Sequence, residues 1–176
     1  MAALTAQELI FLDETSTPVN MTPLRARSPR GSRAVGRVPH GRRTQVTLLA
    51  TLSAQGLGPG LQFTGALDQS TFETFVATSL APTLRPGQTV VLDNLAVHKS
   101  ARARSLIEAA GCQLLFLPTY SPDFNPIEQA FAKLKHLLRQ AETRTVETII
   151  TATQQAYPRI TPGDAHGFFR SAGYNL

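Results

Sequence analysis

The sequence has almost no cysteine and no tryptophan. Cys112 is the single cysteine, so an internal disulfide and a four-cysteine zinc site are both excluded. His40, His136 and His166 form no zinc-like pair with Cys112, and we expect no structural zinc. Because Cys112 lies beside the apolar run QLLFLP, the pattern favours a small core residue over a nucleophile.

Long hydrophobic runs are also absent. No apolar run approaches the length needed to cross a bilayer, and the first residues, MAALTAQELIFLDET, lack the pattern of a signal peptide. Of the 176 residues, 42% are hydrophobic and 16% are charged, which is typical of one compact domain rather than a disordered chain. We therefore expect a cytoplasmic protein with no membrane partner.

Acidic residues are missing from a long stretch, Thr15 through Leu67, in which arginine is abundant. The whole chain has a net charge of +5, and arginine is the cation best suited to bidentate contact with phosphate. An ordinary solvated loop is the alternative, but the pattern favours a surface that contacts the DNA backbone. The arginines of this predicted surface are Arg25, Arg27, Arg30, Arg33, Arg37, Arg42 and Arg43.

The apolar pattern predicts a mixed sheet with helices on its faces. Residues 9–13, LIFLD, are predicted to form a buried strand that ends at an acid. Residues 43–56 and 60–68 are predicted to form a hairpin. Helices and strands then alternate, followed by a final helix; the predicted ranges are helix 70–84, strand 88–93, helix 100–110, strand 113–118, helix 125–140 and helix 146–157.

Three acids stand out by their positions. Asp13 and Asp93 each end an apolar strand, and the carboxyl ends of such strands gather at one edge of the sheet. Glu128 lies in the first turn of the helix that begins Asn125-Pro126. Three such carboxylates suffice to hold a pair of divalent ions, which can assist displacement at phosphorus.

Each acid also has a purely structural interpretation. An aspartate after a strand often forms a turn through bonds to the following backbone. Asn125, Pro126 and Glu128 fit the N-cap, N1 and N3 positions of a capping box, which needs no metal. Asp123 is interpreted as a turn residue beside Pro122 and is left out of the metal set.

The acidic blocks resemble those of a known family. The strings LIFLDET, VVLDNLAVHKS and LPTYSPDFNPIEQAFAKLK are similar to the three blocks of DDE transposases of the mariner superfamily, in particular its bacterial insertion-sequence branch. In this branch 34 residues typically separate the second and third acids, and 34 residues lie between Asp93 and Glu128 (128 − 93 − 1). Phe124 and Thr119 depart from the residues that are frequent in the family, leucine and proline.

The resemblance implies a ribonuclease H-like α/β fold with a mixed five-stranded sheet flanked by helices. It also implies that Asp13, Asp93 and Glu128 bind two Mg²⁺ or Mn²⁺ ions, so that first water and then a DNA 3′-hydroxyl attacks phosphodiesters. The DNA partners would be element ends and a target, usually a TA dinucleotide, within a homodimeric complex near the bacterial nucleoid.

Several further residues are expected to support this site. Asn94 is expected to orient Asp93 or to touch the backbone, and Asn125 to support the acids, although a simple turn and an N-cap are the structural alternatives. The pair that opens the helix after Asp93 is expected to contact either DNA or a side chain that holds a metal ion, and an exposed pair without function is the alternative. A basic strip along the helix after Glu128 is expected to contact phosphates, with an ordinary solvated helix face as the alternative. The residues are His98, Lys99, Lys135 and Arg139.

Members of this family normally carry N-terminal helix-turn-helix modules, and no recognition helix fits before Asp13. We therefore expect residues 1–176 to be a single catalytic domain, with a separate helix-turn-helix polypeptide as a candidate partner. The alternatives are a catalytically silent remnant that binds DNA or oligomerises, and a ribonuclease H-like nuclease without strand transfer.

Overall fold

The computed structural model describes residues 5–23, 25–35, 44–119 and 121–175. Within these ranges the chain forms a mixed sheet with the strand order β3-β2-β1-β4-β5. The strands are β1 (Leu9–Pro18), β2 (Gln45–Ser53), β3 (Gly56–Thr64), β4 (Thr89–Leu92) and β5 (Gln113–Phe116). The helices are α1 (Gln69–Phe75), α2 (Ala101–Ala109), α3 (Pro126–Gln140), α4 (Val146–Ala156) and α5 (Pro162–Ser171).

Strand β1 is the centre of the sheet and is longer than predicted. Its first residues pair in parallel with β4, and its whole second half pairs antiparallel with β2, as far as Pro18 opposite Gln45. The prediction that the strand ends at Asp13 is therefore wrong, because β2 continues to supply backbone partners after β4 has ended. The parallel pairing with β4 does stop near Asp13, at Phe11 opposite Val91.

Two hydrophobic cores lie on opposite faces of the sheet, as expected for strands buried on both sides. Alternate residues of β1 point to each face: Phe11 packs with α3 and α5, and Leu12 packs with α1 and α2. Cys112 is a free, buried residue of the second core, which confirms its interpretation as a small core residue. The expected α/β architecture of a mixed five-stranded sheet flanked by helices is confirmed.

Two helical regions differ from the sequence-based expectation. The predicted helix 70–84 is α1 followed by a wider π-helical turn, Val76–Leu80, and a short turn that contains Pro82. Helix α5 was not predicted, since Gly163 and Gly167 weaken its helical pattern. Its start is nevertheless well specified, because the Thr161 hydroxyl accepts from the Asp164 backbone N–H. Within the described ranges, none of the helices has the length and apolarity that a membrane span requires.

Candidate active site

Three separate elements bring Asp13, Asp93 and Glu128 around one cavity. Phe11 of β1 and Val91 of β4 are the last residues that the two parallel strands pair. Asp13 lies two residues beyond Phe11, and Asp93 lies two residues beyond Val91, so the register of the strands sets the two acids side by side. Glu128 lies in the first turn of α3. The cavity has a volume of about 310 Å³, and all three acids line it together with Asn94 and Asn125.

Asp13 is the most deeply placed of the three acids, with 7% of its surface exposed. Its Oδ1 accepts from the Glu14 backbone N–H at 2.8 Å, and its Oδ2 accepts from the Asn125 side-chain amide at 2.7 Å. The pKa of Asp13 is raised to about 7, chiefly by burial and in smaller part by the carboxylates of Glu14, Asp93 and Glu128, against the lowering effect of the Glu14 N–H. Ionised Asp13 is therefore unfavourable beside its acidic neighbours.

A buried histidine holds Asp93. His98 Nδ1 lies 2.6 Å from Asp93 Oδ1, and the Leu95 backbone N–H donates to the same oxygen at 2.9 Å. The alternative of an exposed pair does not hold for His98, because the turn after β4 folds its ring inward until none of the side chain is exposed. Of the two contacts expected for His98, the structure has the contact with an acid of the site, and a buried ring does not offer the surface that contact with DNA needs.

The other side of the His98 ring faces Glu14, a residue that the sequence analysis did not single out. His98 Nε2 and Glu14 Oε2 are 3.1 Å apart, an ion-pair distance, although their geometry falls short of a hydrogen bond. Burial alone would lower the pKa of His98, but contact with Asp93 and Glu14 raises it to about 9. The hydrogen bond from His98 lowers the pKa of Asp93 more than burial raises it. Glu14 directly follows Asp13 on β1. Because successive side chains of a strand point to opposite faces, the sequence indicates that Glu14 faces away from the side of Asp13.

The predicted capping box at the start of α3 does not form. Asn125 is the N-cap residue and Pro126 occupies the first helical position, but the Asn125 side chain makes no capping hydrogen bond. The side-chain amide of Asn125 donates instead to Asp13 Oδ2, on strand β1. Glu128 is exposed in the first turn of the helix, where a negative charge is favoured by the helix dipole. Its position is therefore not explained by capping.

The donor set suits divalent cations of the magnesium type. Carboxylate oxygens are the ligands that Mg²⁺ and Mn²⁺ prefer, and Mg²⁺ usually uses only one or two of them together with water or phosphate. Among the described residues, no three acidic, histidine or cysteine side chains converge closely enough to share one ion. The carboxylates of Asp93 and Glu128 both raise the pKa of Asp13, so a cation among the three acids would relieve their repulsion.

The remaining predicted residues lie around the cavity and along α3. The Asn94 side chain donates to the Leu117 carbonyl, so it touches the backbone and joins the loops that follow β4 and β5. Lys99 is exposed beside the start of α2. Lys135 is half-buried, and burial lowers its pKa, with a raising contribution from Glu128 and a lowering one from Arg139. Lys135 and Arg139 thus follow Glu128 along α3, and their contact with DNA stays a prediction.

The arginine-rich stretch is described only in part. Arg25, Arg27, Arg30 and Arg33 are exposed, whereas Arg37, Arg42 and Arg43 lie outside the described residues. Arg25 and Arg139 line one cavity of about 390 Å³, so the stretch begins beside the far end of the α3 strip.

A larger cavity, about 770 Å³, lies between the β2–β3 hairpin and the segment that joins α4 to α5. Leu57, Leu61, Ile150 and Ile160 are among its lining residues, and no acidic or basic side chain of the described ranges reaches it. Such a lining offers no carboxylate for a divalent cation of the magnesium type. The smaller acidic cavity is therefore the candidate active site.

Comparison with known proteins gives one family and one recurrent fold. The model of the family described as DDE superfamily endonuclease matches residues 8–150. No curated protein sequence is a match. The Mos1 strand transfer complex has a similar fold, with a TM-score of 0.73 at 18% identity over 95% of this chain and 51% of that chain.

Two other Mos1 structures extend this likeness. For the Mos1 mariner paired end complex with Mn, the TM-score is 0.74 at 16% identity, over 95% of this chain and 52% of that chain. For the Mos1 transposase catalytic domain with raltegravir and Mn, the TM-score is 0.68 at 13% identity, over 95% of this chain and 80% of that chain. The chain spans about half the length of the Mos1 chains in the two DNA-end complexes. The expected ribonuclease H-like fold is confirmed by these matches.

Proposed function

The chain belongs to the DDE superfamily endonuclease family, and from this membership we propose that it cleaves DNA strands and transfers them during transposition of a bacterial insertion sequence of the mariner superfamily. The observation that carries the proposal is the buried Asp13, which shares one cavity with Asp93 and Glu128 and is repelled by both. Burying a carboxylate beside two others costs stability unless a cation compensates. Such a cluster is more readily explained by metal-dependent chemistry than by packing.

In this proposal Asp13, Asp93 and Glu128 hold two Mg²⁺ or Mn²⁺ ions. When bound, the ions would activate an attacking oxygen and stabilise the leaving oxygen of an in-line displacement. Asn125 keeps the Asp13 carboxylate facing the cavity, and Asn94 fixes the loops on either side of it. Hydrolysis breaks the bond between phosphorus and the 3′-oxygen and frees a 3′-hydroxyl, which then displaces a 3′-oxygen of the target strand.

The proposed DNA partner lies along the basic surface that starts at the cavity. Lys99, Lys135 and Arg139 contribute cations on the side of the acids, and the exposed arginines Arg25, Arg27, Arg30 and Arg33 add further positive charge. Arg37, Arg42 and Arg43, which lie outside the described residues, are included in the proposal from the sequence alone. Phosphate contacts of this kind give affinity without sequence specificity. We propose that a separate helix-turn-helix polypeptide supplies recognition of the element ends, and that two copies of the domain act together.

Nicking of supercoiled plasmid in Mg²⁺ or Mn²⁺ tests the chemistry. Glu128→Gln keeps the size of the side chain and its exposed place on α3, so we expect the fold to persist and nicking to fall by at least about 100-fold. Asp123→Asn is the matched control, since it removes a negative charge from the exposed turn before α3 without altering the cavity lining. We expect it to nick like the wild type.

The products separate the competing functions. Joined molecules that carry plasmid ends support strand transfer, whereas nicking without joining favours a ribonuclease H-like nuclease. A wild type that binds DNA but nicks in neither metal favours a catalytically silent remnant. If Glu128→Gln nicks as well as the wild type does, Glu128 is not a metal ligand.

A further inference from the structure

His98 is buried completely and has a carboxylate on each side of its ring. Its Nδ1 is 2.6 Å from Asp93 Oδ1 and its Nε2 is 3.1 Å from Glu14 Oε2. Phe72 packs on the ring, with the centroids 4.9 Å apart and the planes at 43°. The ring is therefore fixed from three directions, and a side chain held in this way can fix the orientation of another.

The same contacts connect the two strands that carry the first two acids. Glu14 follows Asp13 on β1, and its backbone N–H donates to Asp13 Oδ1 while its side chain faces His98. His98 in turn contacts Asp93, beyond the end of β4. A continuous chain of contacts thus runs Asp13–Glu14–His98–Asp93, beneath the cavity on the α1/α2 face of the sheet.

We propose that His98, held by Glu14, is a positioning residue for Asp93: it fixes Oδ1 so that Oδ2 is presented to a divalent cation in the cavity. Within the described ranges, both hydrogen bonds to the Asp93 carboxylate go to Oδ1. Asp93 is partly exposed, with 43% of its side chain accessible, so without His98 its carboxylate would be free to rotate toward solvent. The inference rests on the proposed function, since it concerns the same acids.

Partners of this kind, which contact a ligand rather than the metal, typically change metal affinity by about 10- to 100-fold when they are lost. The contact of His98 with Asp93 and its contact with Glu14 can be tested separately by substituting His98 with asparagine or with glutamine. Asparagine at position 98 places its N–H₂ near the former Nδ1 and can still donate to Asp93. Glutamine extends to the former Nε2, so it can reach Glu14 but leaves Asp93 without its partner.

Binding of Mn²⁺ to the DNA-free protein, followed by the paramagnetic resonance signal of free Mn²⁺, is the direct measurement. We expect His98→Gln to weaken Mn²⁺ binding by about tenfold or more, and His98→Asn to stay within about threefold of the wild type. In plasmid nicking, His98→Gln should raise the Mn²⁺ concentration needed for half-maximal rate more than it lowers the rate at saturating Mn²⁺. A merely structural role would not separate these two quantities.

Equal weakening by both amides, or no weakening by His98→Gln, would overturn the proposal. If His98→Gln does not fold, as judged by circular dichroism, Glu14→Ala carries the test, because it releases the ring from the other side; unchanged Mn²⁺ affinity in that variant would also overturn it. Wild-type protein that binds no Mn²⁺ at all would refute the proposed function itself, and His98 with it. Normal binding by wild type and His98→Gln alike would refute only the positioning role.

Discussion

Replacing Asp13 with asparagine should stabilise the metal-free protein, and the gain should depend on pH. The pKa of Asp13 rises from 3.8 to about 7 on folding, chiefly because the carboxyl group is buried. Below pH 3.8 the carboxyl group is protonated in both the folded and the unfolded chain and does not lower the free energy of unfolding. As the pH rises from 3.8 through about 7, the free energy of unfolding falls, because the unfolded chain ionises more readily than the folded one. With about 1.4 kcal/mol for each pKa unit, ionisation of Asp13 costs the folded state about 4 kcal/mol at pH 8 and about 1.5 kcal/mol at pH 5.

The asparagine side chain is always neutral and nearly the same size. Its oxygen can still accept from the Glu14 N–H, and Asn125 can turn its amide to accept from the new N–H₂. After about 1 kcal/mol is allowed for this exchange of hydrogen bonds, Asp13→Asn should gain about 3 kcal/mol at pH 8 and less than about 1 kcal/mol at pH 5.

The measurement is urea unfolding in EDTA, followed by far-ultraviolet circular dichroism, at pH 5 and pH 8. Asp93→Asn is the control of opposite sign, since the His98 hydrogen bond lowers the pKa of Asp93 and its loss should destabilise the protein at pH 8. Added Mg²⁺ should stabilise the wild type at pH 8 but not Asp13→Asn. A loss of stability in Asp13→Asn at pH 8, or an equal change at both pH values, would refute the reasoning.

Three further substitutions test the packing around the site by urea or thermal unfolding. Phe169→Ala should cost about 3–5 kcal/mol, because the ring is fully buried; a loss below about 1 kcal/mol would contradict the core assignment. Gly60→Ala should destabilise, since its new Cβ would lie 2.6 Å from the Tyr157 hydroxyl; combined with Tyr157→Phe it should cost less than the sum of the single changes, and strict additivity would argue against this clash. Lys133→Met should weaken the protein at pH 7 by about 1 kcal/mol or less and by less at pH 2, because the contact with Lys133 and the hydrogen bonds from Thr161 lower the pKa of Asp164 to about 2, so that about half of this charge is lost there.

The parts of the molecule with strong local patterns were predictable from the sequence. The apolar runs that precede Asp13 and Asp93 identify buried strands, and the edge at which parallel strands end brings these acids together. The stripe of apolar residues along α3 likewise identifies that helix and so places Glu128 at its start.

The errors arose where a distant partner outweighs a local preference. Asn125 has the sequence of an N-cap and was also expected to support the acids; its amide donates to the Asp13 carboxyl group on another element and does not cap α3. His98 stands at the start of a helix beside Lys99, a position that is often exposed, yet carboxylates on β1 and directly after β4 hold its ring in the interior. No pattern along the chain specifies which atoms meet in either contact, because each contact forms only after the strands and helices have been assembled.

The hydrogen bond between Asn125 and Asp13 spans 112 positions of the chain. During synthesis, the first acid leaves the ribosome long before the helix that carries the third, and contacts of such wide separation form late in folding. A nascent or partly unfolded chain therefore has its acids dispersed, and the proposed cleavage of DNA requires a domain that is assembled at least as far as the start of α3.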